Sequence, residues 1–263
     1  MTTPLELQDI ALEIAGEAGE LARRRRSEGV SIAASKSTIA DIVTEADREV
    51  EALIRTRLAQ ARPDDGFLGE ESGDAEGTTG ITWVVDPIDG TVNYAFGMPS
   101  YAVSIAAVTG ATDPGSWRAL AGVVHAPALG ETFRAAAGEG AWLGRERLRV
   151  RTDAPAGALI GTGLGYDPRT HAGDLETLAR VMPLARDIRR IGAASLDLAF
   201  VAAGRLDAYF ERGLKPWDIA AGRLLVDEAG GRSGWFEPDD FGRPLAIVAG
   251  AELYERIRRV ILG

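Results

Sequence analysis

Residues 81–108 read ITWVVDPIDGTVNYAFGMPSYAVSIAAV. Here the hydrophobic period of the chain changes. ITWVV and YAVSIAAV are short runs rich in β-branched and aromatic residues, separated by a stretch holding Asp, Pro and Gly, and LAGVVHA (120–126) and ETFRAAA (131–137) follow with similar punctuation. Antiparallel strands are the natural reading, which places a first sheet between residues 81 and 150. The strand at its start delivers Asp86 and Asp89 at its end, with Pro87 restraining the backbone between them.

Upstream the period is helical. Leu7, Ile10, Ile14, Ala18 and Leu21 recur at spacings of three and four, predicting a helix over about 5–27 whose basic end is Arg23–Arg26. After SIAASKST (31–38), the segment TEADREVEALIRTRL (44–58) opens with Thr44 and Asp47 in capping-box spacing and carries Val50, Leu53, Ile54 and Leu58 on one side. Beyond residue 150, strand signals at ALIGTG (158–163), DIRRIG (187–192), DAYFE (207–211) and LAIVAG (245–250) alternate with helical stretches at 174–182, 195–203 and 217–229. The nearest break, TDAPAG (152–157), is too short to act as a hinge. Residues 1–263 therefore read as a single unit, with a first-half sheet within about 1–150 and sheet and helix layers over about 151–263.

Composition narrows the chemistry. An apolar fraction of 46% and a charged fraction of 26% over 263 residues are those of a soluble globular protein. A net charge of −10 argues against a nucleic-acid partner, which needs a Lys/Arg surface. With no cysteine, thiolate nucleophiles, disulfides and Cys-ligated metals are excluded. His125 and His171 are the only histidines, so a metal would sit on oxygen, and the acidic surplus suits hard cations such as Mg²⁺. MTTPLELQD lacks a basic region followed by an apolar stretch, and no run approaches membrane-spanning length; a cytoplasmic protein with no membrane partner is expected.

Asp86 and Asp89 at a rigid strand end can face one cavity, and the carbonyl of Ile88 can add a third hard oxygen. Asp-Pro and Asp-Gly are equally ordinary turn dipeptides. Gly90 and Thr91 add a backbone that permits close approach, a hydroxyl and free N–H groups, which a phosphate or an activated water requires. Glu70 and Glu71 in LGEES would by themselves be a solvated loop tip. Asp218, in PWDIAAGRLLVDEAGG (216–231), stands in a first helical turn, where an Asp also serves as a cap. GAASLDLAFVAAG (192–204) reads as a helix start, with an N-terminus that favours an anion or, alternatively, small residues that serve only packing.

Together the GEES element, the W-x-x-DPIDGT element and the WD-x-A-x-G-x-x-x-x-x-EAGG element resemble, in order and separation, the inositol monophosphatase family of lithium-sensitive, magnesium-dependent phosphatases. The resemblance runs from about residue 5 to the C-terminal helix. It implies an αβαβα five-layer sandwich of alternating helices and mostly antiparallel sheets, as in fructose-1,6-bisphosphatase, with the site at the junction of the halves. It also implies metal ligands at Glu70, Asp86, the carbonyl of Ile88, Asp89 and Asp218, with Asp86 bridging two ions, and with Glu70, Ile88, Asp89 and Asp218 doubling as substrate contacts. Two or three Mg²⁺ are implied, with Mn²⁺ as a substitute and Li⁺ as an inhibitor. By the same resemblance Thr91 and Asp47 form the dyad that takes a proton from the attacking water, with Glu70 a further catalytic group; capping remains the other use of the Asp47 oxygens. Gly90 and Thr91 would hold the phosphate, Gly192, Ala193 and Ala194 would line the substrate ring, and Glu211 would accept hydrogen bonds from its hydroxyls. Lys36 matches a family lysine near the metal loop. As alternatives, Glu211 is an edge charge and Lys36 an exposed lysine. Family habit adds a homodimer.

The reaction so implied is Mg²⁺-dependent hydrolysis of a phosphate monoester of a small polyol, inositol 1-phosphate first, by in-line displacement without a covalent intermediate. Val92–Phe96 after DGT resemble the inositol phosphatases rather than the DGTKGF of nucleotide-bisphosphate relatives, and that stretch holds no cation for a second phosphate. Arg169 and Arg190 lie in segments that can approach the pocket, which keeps fructose-1,6-bisphosphatase activity open beside histidinol-phosphatase activity. Ser195, where several relatives carry Ala, is expected to place a hydroxyl beside the ring contacts. From another class, the fold would serve a regulatory protein that binds transcription or translation machinery.

Overall fold

Helix α1 (Pro4–Glu28) begins where its residues dictate. The N–H of Glu6 donates to Thr3 Oγ1 at 3.3 Å, the N–H of Thr3 donates to Glu6 Oε2 at 2.7 Å, and Pro4 occupies the first turn. Its buried stripe is Leu7, Ala11, Ile14, Ala15, Ala18, Leu21 and Ala22. The computed structural model describes residues 2–29, 32–35, 42–154 and 156–263, apart from the side chains of 32–35 and 42–44. A short ribbon of β1 (Ile32–Ser35) and β2 (Ile42–Thr44) leads into α2 (Glu45–Ala61), which buries Ala46, Val50, Ile54 and Leu58.

The first sheet comprises β3 (Gly66–Gly69), β4 (Gly73–Ala75), β5 (Ile81–Asp89), β6 (Ala102–Thr109), β7 (Arg118–Ala126), β8 (Glu131–Ala136), β9 (Gly140–Leu143) and β10 (Glu146–Arg147). They lie in the order β10-β9-β8-β7-β6-β5-β3-β4. The sheet thus starts earlier than the expected residue 81. GFLG and GDA show no apolar alternation; β3 is a strand because it pairs parallel to β5, with Gly69 opposite Val85, while the other pairings of this sheet are antiparallel. Between β5 and β6 sits α3 (Thr91–Phe96), which the strand pattern around it does not announce.

The second sheet holds β11 (Ala158–Thr162), β12 (Ala185–Arg189), β13 (Ala208–Arg212), β14 (Arg232–Phe236) and β15 (Leu245–Ala249), ordered β12-β11-β13-β15-β14. Here β11 runs parallel to β12 and β13, and the rest is antiparallel. DIRRIG contributes a strand that begins two residues earlier than its pattern, and RSGWF (β14) carries too short a pattern to be read without its partner β15. The helices of this half are α4 (His171–Val181), α5 (Ala194–Ala202), α6 (Pro216–Glu228) and α7 (Ala251–Leu262).

Alternation within each strand assigns the layers. Trp83, Val85, Val103, Ile105 and Val123 pack with α1 and α2, whereas Val84, Ala106, Val108 and Val124 pack with α5 and α6. Tyr209, Ala246 and Val248 close the other side of α5 and α6, while Phe210, Leu245 and Ile247 pack on α4 and α7. The result is the expected αβαβα sandwich. Helix α5, between two sheets, buries Leu196, Leu198, Ala199, Val201 and Ala202, as a helix apolar all round must. No helix among the described residues is long and apolar enough to cross a membrane.

Candidate active site

Asp86 and Asp89 lie an odd number of residues apart, so a regular strand would send them to opposite faces. The register of β5 against β6 breaks between them: Asp86 faces Ser104 and Asp89 faces Ala102, so Pro87 and Ile88 oppose the single residue 103. The bulge re-aims the second acid to the side of the first. Asp218 joins them from the first turn of α6, and one carboxylate oxygen of each lies within 4.8 Å of the others. A cavity of about 490 Å³ opens over them, walled also by Glu70, Ile88, Gly90, Thr91, Gly192, Ala193, Ala194 and Glu211. Parallel pairing of β3 with β5 brings Glu70 there, its N–H donating to Val85 O at 3.2 Å. Three of the four predicted acids form the tight cluster, and Glu70 stands on the same wall outside it.

The cluster is short of positive charge. Burial, then the charges of Glu70 and Asp89, push the Asp86 carboxyl well above the ordinary carboxylate range. Asp218 is raised well above it by burial and by Asp89 and Glu70, although the Lys215 N–H donates to its Oδ2 at 2.7 Å. Asp89 is lifted by burial to about 6 despite three donors: Ala194 N–H at 3.1 Å, Ser195 N–H at 2.7 Å and Ser195 Oγ at 2.6 Å. Among the described residues no Lys or Arg side chain pairs with Asp86, Asp89 or Asp218. Hard oxygen donors, mutual repulsion and no built-in counter-ion fit a divalent hard cation, and neither histidine lines the cavity.

Thr91 Oγ1 lies 3.0 Å from Asp47 Oδ1 and 3.0 Å from Ile88 O, so the predicted dyad meets through α2. The Thr44 side chain, on which the capping reading of Asp47 depends, and Lys36 lie outside the described residues. Gly90 caps α3 with φ +88°, where a non-glycine residue would be strained, and an added Cβ would press on Ala193 and Ser100 at 3.0 Å. Asn93 Nδ2 donates to Ser100 O at 2.7 Å and Ile191 O at 2.9 Å, tying the 86–91 turn to the 192–194 loop. Glu211 lies on the cavity wall, and burial raises it to about 7, opposed by the Tyr209 hydroxyl that donates to its Oε2.

Two expectations are corrected. Ser195 does not present its hydroxyl to a substrate ring: it is fully buried and donates to Asp89. The anion at the start of α5 is likewise a protein carboxylate, because Asp89 takes the Ala194 and Ser195 N–H groups that were expected to favour a phosphate. Asp218 combines both of its readings, capping Lys215 N–H while standing in the acid cluster. Of the two arginines singled out, Arg190 lines the cavity, whereas Arg169 is exposed and forked onto Asp167. Sequence reasoning passed over Asn93 and Tyr209, whose only signal is a polar atom on an apolar segment.

The profile described as the inositol monophosphatase family matches residues 4–258. The inositol-1-monophosphatase of Mycobacterium bovis is 45% identical, over 94% of this chain and 90% of its own length. The Nus factor SuhB of Escherichia coli K12 is 39% identical over 85% of this chain and 82% of its own. Among solved structures, Mycobacterium tuberculosis SuhB superposes with a TM-score of 0.83 at 42% identity, covering 99% of this chain and 97% of that one.

Proposed function

The chain belongs to the inositol monophosphatase family, a family of metal-dependent phosphoric monoester hydrolases, and on that premise we propose that it hydrolyses inositol 1-phosphate with Mg²⁺ in the cytoplasm. One observation carries the reading: the Asp86–Asp89–Asp218 cluster, which among the described residues has no cationic partner, shares its cavity with Thr91, whose hydroxyl donates to Asp47. Glu70, Asp86, the Ile88 carbonyl, Asp89 and Asp218 would hold the two or three ions. When bound, Mg²⁺ supplies the positive charge that a phosphate dianion needs before a nucleophile can approach it.

The protein's own groups do the rest. Asp47 takes the hydrogen bond of the Thr91 hydroxyl, which leaves a lone pair on Thr91 Oγ1 to orient a water; as Oγ1 receives the water's proton, the hydroxyl's own proton passes to Asp47. The N–H groups of Gly90 and Thr91 hold phosphate oxygens, and Gly192, Ala193 and Ala194 offer a side-chain-poor wall to the ring. Glu211 accepts from the ring hydroxyls, an acceptor role that strengthens as pH rises through about 7 and its proton leaves. A homodimer completes the reading, since Phe96 and Met98 stand 76% and 51% exposed just past the site, where a second copy would cover them.

The test is phosphate release from inositol 1-phosphate, fructose 1,6-bisphosphate, histidinol phosphate and a nucleotide bisphosphate, compared by kcat/KM with Mg²⁺, with chelator and with Li⁺. Inositol 1-phosphate is expected to lead, with activity lost in chelator and in Li⁺. Arg190 on the wall favours one second reading, a bisphosphate substrate, which a leading fructose 1,6-bisphosphate would establish. No turnover of any monoester would sink the enzymatic reading and favour the protein-binding role that the name of the Escherichia coli relative suggests.

A further inference from the structure

The turn that carries Glu70 is gripped from behind by a buried carboxylate. Glu51 lies on α2, one turn after Asp47, and is 2% exposed. Its Oε2 accepts from Glu71 N–H at 2.8 Å and its Oε1 from Ser72 N–H at 2.7 Å. Arg55, a further turn along, donates to Ser72 Oγ at 2.9 Å. Residues 47, 51 and 55 thus form one stripe at four-residue spacing, and each touches a segment of the site. A carboxylate is costly to bury unless its lone pairs are engaged, and among the described residues both Glu51 oxygens are engaged by backbone donors rather than by a cation. The residue before Glu70 is shaped for this contact, since a Cβ on Gly69 would stand 2.6 Å from Glu51 Oε2.

We propose that Glu51 is a positioning residue for Glu70. On one side Glu70 is pinned by its own N–H to Val85 O at 3.2 Å; on the other, Glu51 fixes the next two peptide groups, which keeps the Glu70 carboxylate on the metal wall of the cavity. The inference rests on the reading of Glu70 as a metal ligand. Gln at 51 would keep the shape but turn an N–H₂ group toward one of the two N–H donors, releasing that peptide.

Mn²⁺ titration calorimetry on the full chain tests it, with amide hydrogen exchange at Glu71 and Ser72 and thermal unfolding alongside. Glu51→Gln is expected to weaken Mn²⁺ binding by about 10- to 100-fold, with lost protection at whichever of the two amides faces the new NH₂ group. It should raise the Mg²⁺ concentration for half-maximal activity while kcat at saturating Mg²⁺ stays near that of the parent. Gly69→Ala, which displaces Glu51 without altering it, should act in the same direction more weakly. A folded Glu51→Gln protein with parental Mn²⁺ affinity overturns the proposal, as does a fall in kcat that saturating Mg²⁺ leaves uncorrected. Should Glu51→Gln fail to fold, parental Mn²⁺ affinity in Gly69→Ala with both amides deprotected overturns it equally. Glu70→Gln separates the two layers of argument: unchanged Mn²⁺ binding there removes Glu70 from the ligand set, whereas a loss there but not in Glu51→Gln removes only the role of Glu51.

Discussion

At the cavity rim, Asp174 and Asp239 close around Arg243, which lines the cavity and whose Nη1 and Nη2 reach the two Asp174 oxygens at 2.9 Å each while Nη2 also meets Asp239 Oδ2 at 2.9 Å. At the cavity floor one oxygen each of Asp86, Asp89 and Asp218 lies within 4.8 Å of the others, and among the described residues no guanidinium or ammonium pairs with them. Both groups are acids partly withdrawn from water, but Asp239 and Asp86 are shifted in opposite directions. Burial pushes Asp239 up, the hydrogen bonds from Arg243 outweigh it, and the carboxyl is held below its ordinary range. On Asp86 burial and mutual repulsion outweigh the one hydrogen bond that its Oδ1 accepts from the Ile88 N–H at 3.1 Å. A buried acid group with its own cation is architecture; one without a cation holds a deficit that something from outside must fill.

Replacing one acid on the floor should break the function and relieve the fold. Asp218→Asn is expected to lower kcat by about a thousandfold or more, since metal charge stabilisation is worth several kcal/mol. The metal-free protein should at the same time melt higher, because one repelling charge is gone. Calorimetry checks the second half, and a lower Tm without metal would break the comparison.

At the rim the opposite exchange is expected. Arg243→Met strands two acids, and the charged side chains are only 15%, 9% and 20% exposed, so a loss of about 3 kcal/mol in urea unfolding should follow. Mn²⁺ affinity at the floor should be unchanged; weakened binding would mean that the two groups are not independent.

The smallest effect is a pH dependence. Asp89 rises from an ordinary 3.8 to about 6, so between those values the folded state holds more protons than the unfolded one. The contribution of Asp89 to stability without metal is therefore full below about 4 and is lost as pH climbs to about 6. Mg²⁺ removes that loss, so the Tm gain on adding it should grow across the window, by roughly 2–4 °C for each kcal/mol in a chain of this size. Glu211, raised from 4.5 to about 7, adds a slope of the same sign that Mg²⁺ does not cancel. A Tm gain that is flat with pH would show that the floor acids are already ionised without metal.

Much of this was legible because it is local. The stripe of α1, the second helix, the strands after residue 81 and the acids of DPIDGT are all written in periodicity and residue chemistry. The strands β3 and β4 were not, since GFLG becomes a strand only through β5 and GDA only through β3. Ser195 was misread for a related reason: its spacing shows a hydroxyl near small residues, and nothing nearby shows that Asp89 lies opposite.

What the sequence alone determined is the inventory and the class: helices and strands in order, hard oxygen donors without thiols, and motifs that resemble one phosphatase family. The tertiary structure decided which acids share a space and which donors steer them. Asp89 meets Ser195 across 106 positions, and Glu51 meets Ser72 across 21. Such pairings depend on how layers stack and where a strand bulges, and no window of local sequence contains both partners together with the packing that joins them.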